Sequence, residues 1–303
     1  MARPLVSVMM PCFNAEVTLP IALASVAAQT IPDWECVCLD DGSTDGTWNV
    51  LSEISRRDAR FRVERFSENR GRGAARQRLL EMVTGEYLAF LDSDDWMYPT
   101  RLAHEVRWLQ ADAKIAAVSA CAAITLGSEQ LVGVQRPHAE TSLPIVAAFE
   151  EPVPPPLLFP TSMIRTELAQ RTGFDRTFKR SQDSDFLVRA LLGRHYALGS
   201  EVLYAFSQAS AASLDKTLDG YYYRMRAHAK HWRAYPLRVS RTLAVTGAKM
   251  VLYGATGAFG AHQRLINRRW SEVVDDETRT GFQEALAAVR HASRDLFDAS
   301  PAA

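Results

Sequence analysis

The chain has 303 residues, 47% of them hydrophobic, with 35 Lys and Arg set against 35 Asp and Glu. That is enough apolar material for a full globular core, and it excludes both an intrinsically disordered chain and one held to nucleic acid by bulk charge. The four cysteines (Cys12, Cys36, Cys38, Cys121) have no metal-ligand spacing and read as buried thiols of a reducing compartment. The first ten residues lack a small-residue cleavage site and read as a strand. No apolar run reaches membrane-spanning length; the nearest, Leu243 to Ala261, contains Lys249. The expectation is a cytoplasmic protein, soluble or peripheral on the inner face of the membrane.

In chain order, Leu5 to Met10, Trp34 to Leu39, Phe61 to Phe66 and Glu86 to Leu91 are predicted strands. Helical periodicity separates them at Thr18 to Gln29, Thr44 to Arg57 and Gly71 to Val83. Thr18 is a plausible N-cap of the first helix, and Ser43 or Thr44 of the second. Regular alternation predicts an α/β fold with a mostly parallel sheet flanked by helices. A helix from Thr100 to Asp112 and a strand from Ile115 to Ala122 follow, then a possible hairpin over Gly127 to Glu140. Glu151 to Pro156 is too proline-rich for a helix or central strand and reads as a loop at the edge of the site. Gln182 to Leu192 resumes helical spacing, and from about Asp215 the chain reads as wholly helical, with breaks near Pro236 and Gly254 to Gly260. The division is a catalytic domain over 1–214 and a helical C-terminal region over 215–303. From Gly220 to Ser271 that region has ten Lys and Arg and no Asp or Glu, interleaved with Tyr and Trp. Such a stretch suits anionic lipid head groups, a phosphorylated acceptor or nucleic acid.

The C-terminal ends of the predicted strands carry the chemistry, where open α/β sheets hold their ligands. After strand one comes Pro11-Cys12-Phe13-Asn14, and after strand two Asp40-Asp41-Gly42-Ser43-Thr44-Asp45. After strand three comes Asn69-Arg70-Gly71-Arg72-Gly73, and after strand four Asp92-Ser93-Asp94-Asp95. Clustered carboxylates at a sheet edge suit Mg²⁺ or Mn²⁺ shared with substrate phosphates, although Asp92 could simply cap the next helix. Asp41 can accept hydrogen bonds from a nucleobase imide or a ribose hydroxyl. Gly71 and Gly73, with Arg72 and Arg76, would let phosphate approach the backbone. Gly71 to Arg76 is not a dinucleotide fingerprint, because Arg replaces the third Gly and the motif follows strand three. Trp96 either stacks on a sugar or closes the core. His104, His138 and His195 have no partners at metal-ligand spacing.

These four motifs, in this order and spacing, resemble the inverting family-2 glycosyltransferases of the GT-A fold, over about residues 4 to 200. The resemblance implies that Asp41 contacts the base, that Pro11 and Asn14 line the nucleotide pocket, and that Asp92 and Asp94 are the acids of a DxD element. Asp94 would bind the Mn²⁺ or Mg²⁺ that bridges the donor diphosphate. Gln182-Asp183-Ser184-Asp185 through Arg189 is similar to the family's Glu-Asp element, with Gln182 where Glu is usual. Asp183 falls on the catalytic base, and Asp185 is the second candidate. The Gln-x-x-Arg-Trp element of processive members is matched only by Gln263 and Arg269-Trp270 at a different spacing, which disfavours processive synthesis.

The expected activity is transfer of one sugar from a nucleotide-sugar donor, UDP-linked by preference, to a hydroxyl of a glycan or lipid-linked acceptor in surface polysaccharide or glycolipid assembly. An anionic membrane surface is a further expected partner and nucleic acid is not. Two other classes remain: a sugar nucleotidyltransferase, which should carry a Gly-rich basic signature after strand one, and a non-catalytic anion- or RNA-binding protein using the basic helices. The sequence assigns no oligomeric state.

Overall fold

A computed structural model describes residues 3–136, 145–207, 214–258 and 274–298. His138, part of the hairpin expected over Gly127 to Glu140, and Arg264, Arg268 and Arg269 of the basic stretch lie outside the described residues.

The first half alternates as the sequence predicts: β1 (Val6–Cys12), α1 (Leu19–Ala27), β2 (Trp34–Asp40), α2 (Thr47–Arg57), β3 (Phe61–Arg65), α3 (Arg72–Met82) and β4 (Tyr87–Phe90). These strands pair in parallel, in the order β3-β2-β1-β4. β2 is buried along its whole length because helices cover both faces of the sheet. Side chains of β1 and β2 alternate between two cores. Val6, Val8, Met10, Cys36 and Cys38 pack with Leu19, Leu23, Leu51 and Ile54, whereas Met9, Val37 and Leu39 pack with Leu79, Leu80 and Phe186. All four cysteines are free and buried.

The second half comprises β5 (Trp96–Met97), α4 (Arg101–Ala111), β6 (Ile115–Leu126), β7 (Gln130–Gln135), β8 (Ile145–Phe149), β9 (Ser162–Arg165), α5 (Thr166–Thr172), α6 (Gln182–Leu191) and β10 (Arg194–Ser207). Here the sheet is mixed. β9 runs antiparallel between β4 and β6, β10 returns parallel to β6, and β5 closes the far edge against β10. No strand is expected from the sequence over 194–207, because a bulge between Leu198 and Val202 breaks the alternation. Gly199 lies within this bulge under the Trp108 indole, where a Cβ would collide with the ring.

Three helices follow: α7 (Leu214–Ala229), α8 (Pro236–Ala258) and α9 (Asp276–Phe297). The break at Pro236 is present. Phe282, Ala285, Leu286 and Val289 of α9 pack against Ala24 of α1 and against Trp96. Among the described residues no helix is long and apolar enough to cross a membrane.

At the end of the sheet away from the motif loops, Glu35 ties three segments together. Its carboxylate accepts from Ser7 Oγ (2.6 Å), Thr84 N (2.7 Å), Thr84 Oγ1 (2.8 Å) and Arg62 Nη1 (2.7 Å). Burial alone would raise its pKa, but these donors outweigh burial and hold it below the ordinary glutamate value. Its contribution is therefore present above the unfolded pKa and lost as pH falls through the folded one. Glu35→Gln should cost about 1–3 kcal/mol near pH 7, and its gap from the wild type should narrow as denaturation is repeated toward about pH 3. Gly85 carries a separate constraint, since a Cβ there would sit 2.5 Å from Ser7 N. Gly85→Ala should lower stability by more than about 2 kcal/mol, read as a shift in denaturant midpoint.

Candidate active site

The motif loops gather at one sheet edge. β1 pairs with β4 only as far as Met9 and Phe90, with Leu91 N donating to Met9 O at 3.1 Å, and the two strands then part. On the other side of β1, Cys12 O accepts from Asp41 N at 2.8 Å. Alternate residues of a parallel strand aim their amides at opposite neighbours, so Pro11 faces the side that β4 has left. Its missing N–H costs no ladder bond there, and the residue stands at the opening.

Asn14 has a left-handed backbone (φ 49°). Its amide donates to Ser43 Oγ (2.9 Å) and its Oδ1 accepts from Thr44 N (3.0 Å), which locks the turn after β1 to the turn after β2. Neither Ser43 nor Thr44 caps α2 as the sequence suggests. Asp45 does so, accepting from Thr47 N at 3.0 Å. Asp41, 4% exposed, accepts from Arg70 N (2.7 Å) and Gly71 N (2.9 Å). Burial is the main cause that raises its pKa, and the two amides only partly oppose it. Gly42 (φ +71°) lets the same turn press on the backbone of Glu68 and Asn69, where no Cβ would fit. The β2 turn thus grips the segment leading into α3, and the Gly71 amide is spent on Asp41 instead of being open to a phosphate.

After β4 the chain presents its carboxylates in three environments. Asp95 is 1% exposed; it accepts from Tyr204 Oη (2.7 Å) and Ser207 N (2.8 Å), which fixes the loop to the end of β10. Burial and the charges of Asp92 and Asp94 raise its pKa strongly. Asp92 is half-buried, with its Oδ1 3.1 Å from Arg76 Nη2 and its amide donating to Tyr204 Oη at 3.3 Å. Arg76 itself is buried over the Phe159 ring, 4.6 Å from its centroid, so it serves Asp92 and does not reach outward. Asp94 is exposed as a residue, although the crowding around its carboxyl, together with the charge on Asp92, raises its pKa. Thr18 occupies the N-cap position of α1 but makes no side-chain capping bond there; its hydroxyl donates to Ser93 O at 2.9 Å and braces this loop. Trp96 is fully buried, stacked on Tyr98 with its indole N–H donating to Ser128 O (2.8 Å), which rules out the sugar-stacking role.

A cleft of about 410 Å³ opens beside this loop. Its lining includes Tyr204 and Phe159, which touch the carboxylate loop through Asp92 and Arg76, together with Asp183, Ser184, Leu187, Pro154, Pro155 and Arg224. The proline segment is an edge loop, as its composition predicts, and His228 Nδ1 holds it through Pro152 O at 2.9 Å. Asp183 stands in the first turn of α6, half-exposed, with Oδ1 accepting from Ser184 N (2.8 Å). Asp185 is placed differently. It is 1% exposed, with ion pairs to Arg189 (2.7 Å) and Lys230 (2.6 Å), so as a base it would have no free oxygen facing the cleft. Gln182 is buried and donates its amide to Phe178 O at 2.9 Å, a bond an ionised Glu could not make. Ser181 just before it is left-handed (φ 54°), and its hydroxyl donates to Gly220 O of α7 at 2.9 Å.

Among the described residues no group of three or more His, Cys, Asp or Glu side chains forms a metal cage. The Asp92 and Asp94 pair therefore suits only a cation that takes most of its oxygens from substrate and water.

The model of the family described as glycosyl transferase family 2 matches residues 7–175. The chain belongs to that family. Among relatives of this glycosyltransferase, the UDP-Glc:alpha-D-GlcNAc-diphosphoundecaprenol beta-1,3-glucosyltransferase WfaP of Escherichia coli is 31% identical over 36% of the chain and 42% of its own length. The poly(ribitol-phosphate) beta-glucosyltransferase of Bacillus spizizenii is 34% identical over 34% of the chain and 16% of its own length. The matched segment spans less than half of these curated relatives. Among solved structures, S. aureus TarS 1-349 in complex with UDP superposes with a TM-score of 0.59 at 20% identity, over 96% of this chain and 88% of that one. The mannosyltransferase PcManGT of Pyrobaculum calidifontis, in complex with GDP-Man and Mn²⁺, gives 0.57 at 20% identity, over 99% and 89%. These likenesses establish the GT-A fold.

Tyr204 and Phe159 enter the site without a signal in the sequence, since they sit in segments that match no motif, whereas Arg224 belongs to the acid-free basic stretch after Gly220. The family-2 chain depends most visibly on Tyr204. Tyr204→Phe keeps the ring and removes a hydroxyl shared by Asp95 and the Asp92 amide; it should cost about 1–3 kcal/mol, seen as a lower denaturant midpoint at unchanged slope.

Proposed function

We propose that this glycosyltransferase is metal-assisted and inverting, and that it moves one sugar from a nucleotide-sugar donor, UDP-linked, to an acceptor hydroxyl in surface polysaccharide or glycolipid assembly. The observation that carries the reading is the shared cleft. Asp183 lines the same cavity as Tyr204 and Phe159, and these two touch Asp92 through its amide and through Arg76. A carboxylate thereby shares a cleft with the two side chains that contact the loop of the carboxylate pair.

The nucleotide side is Pro11, Asn14 and Asp41. Each Asp41 oxygen accepts one backbone amide, which leaves lone pairs for a base imide. The names of WfaP, with its UDP-Glc donor, and of the TarS complex with UDP support the choice of donor.

The donor set fits a divalent cation. Both groups are hard oxygen ligands, and Asp94 is an open carboxylate whose pKa is raised by crowding and by its like-charged neighbour, a repulsion that a cation relieves. Asp94 would hold Mn²⁺ or Mg²⁺, with Asp92 in support, and the ion would neutralise charge on the departing diphosphate. Arg76 fixes the orientation of Asp92, and Tyr204 that of the whole loop.

Asp183 takes the proton from the attacking acceptor hydroxyl. Its single hydrogen bond from Ser184 N leaves an oxygen for that role, and its place in the lining of the cleft supports it. Acceptor contacts come from the proline loop and from the helical region after 215, beyond the N-terminal nucleotide-binding part. The basic helices also expose Leu237 (85%), Val251 (73%), Tyr222 and Trp232, which suits a peripheral seat on an anionic membrane surface.

Asp183→Asn should lower turnover by about 10² to 10⁴ while UDP with Mn²⁺ still raises the melting temperature. In Asp94→Asn that metal-dependent rise should disappear. If a nucleotide-sugar panel shows no stabilisation by any donor, the reading fails. Because protons compete for a raised Asp94, Mn²⁺ affinity should weaken as pH falls at a higher pH than an ordinary aspartate would give, read by calorimetric titration between about pH 7 and pH 5.

A further inference from the structure

Beside the Asp183 cleft lies a second, smaller cavity of about 190 Å³, between α7, α8 and the proline loop. Its lining includes Arg224, Arg238, Arg241 and Lys249, together with Thr242 and Thr246, and no acid. Among the described residues only one of the four cations is committed to a carboxylate: Arg238 Nε lies 2.7 Å from Glu151. Among the described residues Arg224, Arg241 and Lys249 have no ion pair, and Arg224 Nε is buried without a hydrogen-bond partner. A buried guanidinium N–H with nothing to donate to is costly, and like charges drawn together repel. An oxyanion in the cavity would relieve both.

The two cavities share a wall, since Pro154 and Arg224 line both. The carboxylate pair borders the first cleft at Tyr204 and Phe159, and the basic cavity borders it at Arg224 and Pro154. We propose that the cavity of Arg224, Arg241 and Lys249 binds the phosphate or diphosphate of the acceptor, placing the acceptor's sugar hydroxyl at Asp183. This rests on the reading of the Asp183 cleft as the acceptor side. It assigns Arg224 as the positioning residue that joins the anchor to the reacting group, and it makes a phosphate-bearing acceptor the preferred class.

The test is calorimetric titration of inorganic pyrophosphate in EDTA, which keeps the carboxylate pair free of metal, into the wild type, Asp94→Asn and the double variant Arg241→Ala/Lys249→Ala. Both positions of the double variant are exposed on α8, and melting temperature checks its folding. One site is expected in the wild type and in Asp94→Asn, weakened tenfold or more in the double variant, whose stabilisation by UDP with Mn²⁺ stays intact. Equal affinity in all three proteins, or no pyrophosphate binding by the wild type, overturns the proposal. So does a double variant that loses binding to phosphatidylglycerol vesicles while keeping its pyrophosphate site, since the cations would then serve a lipid surface. Absence of UDP stabilisation in the wild type would instead sink the donor reading, whatever pyrophosphate does.

Discussion

The site depends on one buried carboxylate. Asp95 contributes nothing to the surface, yet it pins the loop after β4 to the end of β10 through the Tyr204 hydroxyl and the Ser207 amide. Without that clamp the loop would be a polar excursion from a four-residue strand. With it, Asp92 and Asp94 sit on a platform braced by β10 on one side and by the Thr18 hydroxyl of α1 on the other. The clamp is electrostatically expensive, because burial and two neighbouring acids oppose ionisation of Asp95. Gathering three carboxylates on one loop takes some packing to hold the like charges together.

The cost is distributed over buried arginines. Arg76 offsets charge on Asp92 while its guanidinium lies over Phe159. Arg101, fully buried with Glu105, donates to Phe90 O (2.9 Å) and Ser162 O (3.2 Å) and lies under Tyr204, 5.0 Å from its centroid. Burial pushes Glu105 up to about 7 despite Arg101 beside it. The strand that delivers the carboxylates, its antiparallel neighbour β9 and the clamping tyrosine are thus held by one fork of donors. Such a fork suits arginine and not lysine.

Much of this was legible in the sequence, and the limits have physical causes. The parallel half was readable because each strand alternates or is wholly apolar and each ends in a motif loop, so β1 to β4 and the helices between them fall within a few residues of expectation. Strand β10 was not readable, because its bulge at Gly199 erases the period and its partner Trp108 lies some ninety residues earlier. At the site, residue type marked Asp41, Asp92 and Asp94 and the family resemblance marked Asp183, but neither could separate a free carboxylate from a tied one. Asp185 differs from Asp183 in facing Arg189 and Lys230, and Lys230 comes from the turn after α7, 45 residues on. Tyr204 matters through what it touches, and tyrosine is too common for composition to single it out.

The packing of α9 on α1 bears on how the protein is made. The two helices are about 250 residues apart in the chain, so the apolar face formed by Ala24 and Trp96 lacks its cover until α9 has been synthesised. At ribosomal speeds that interval is about 10 to 50 seconds, and long-range closures of this kind slow folding. The nascent N-terminal half is therefore a natural client for chaperones, and expression at reduced temperature should favour its recovery over aggregation.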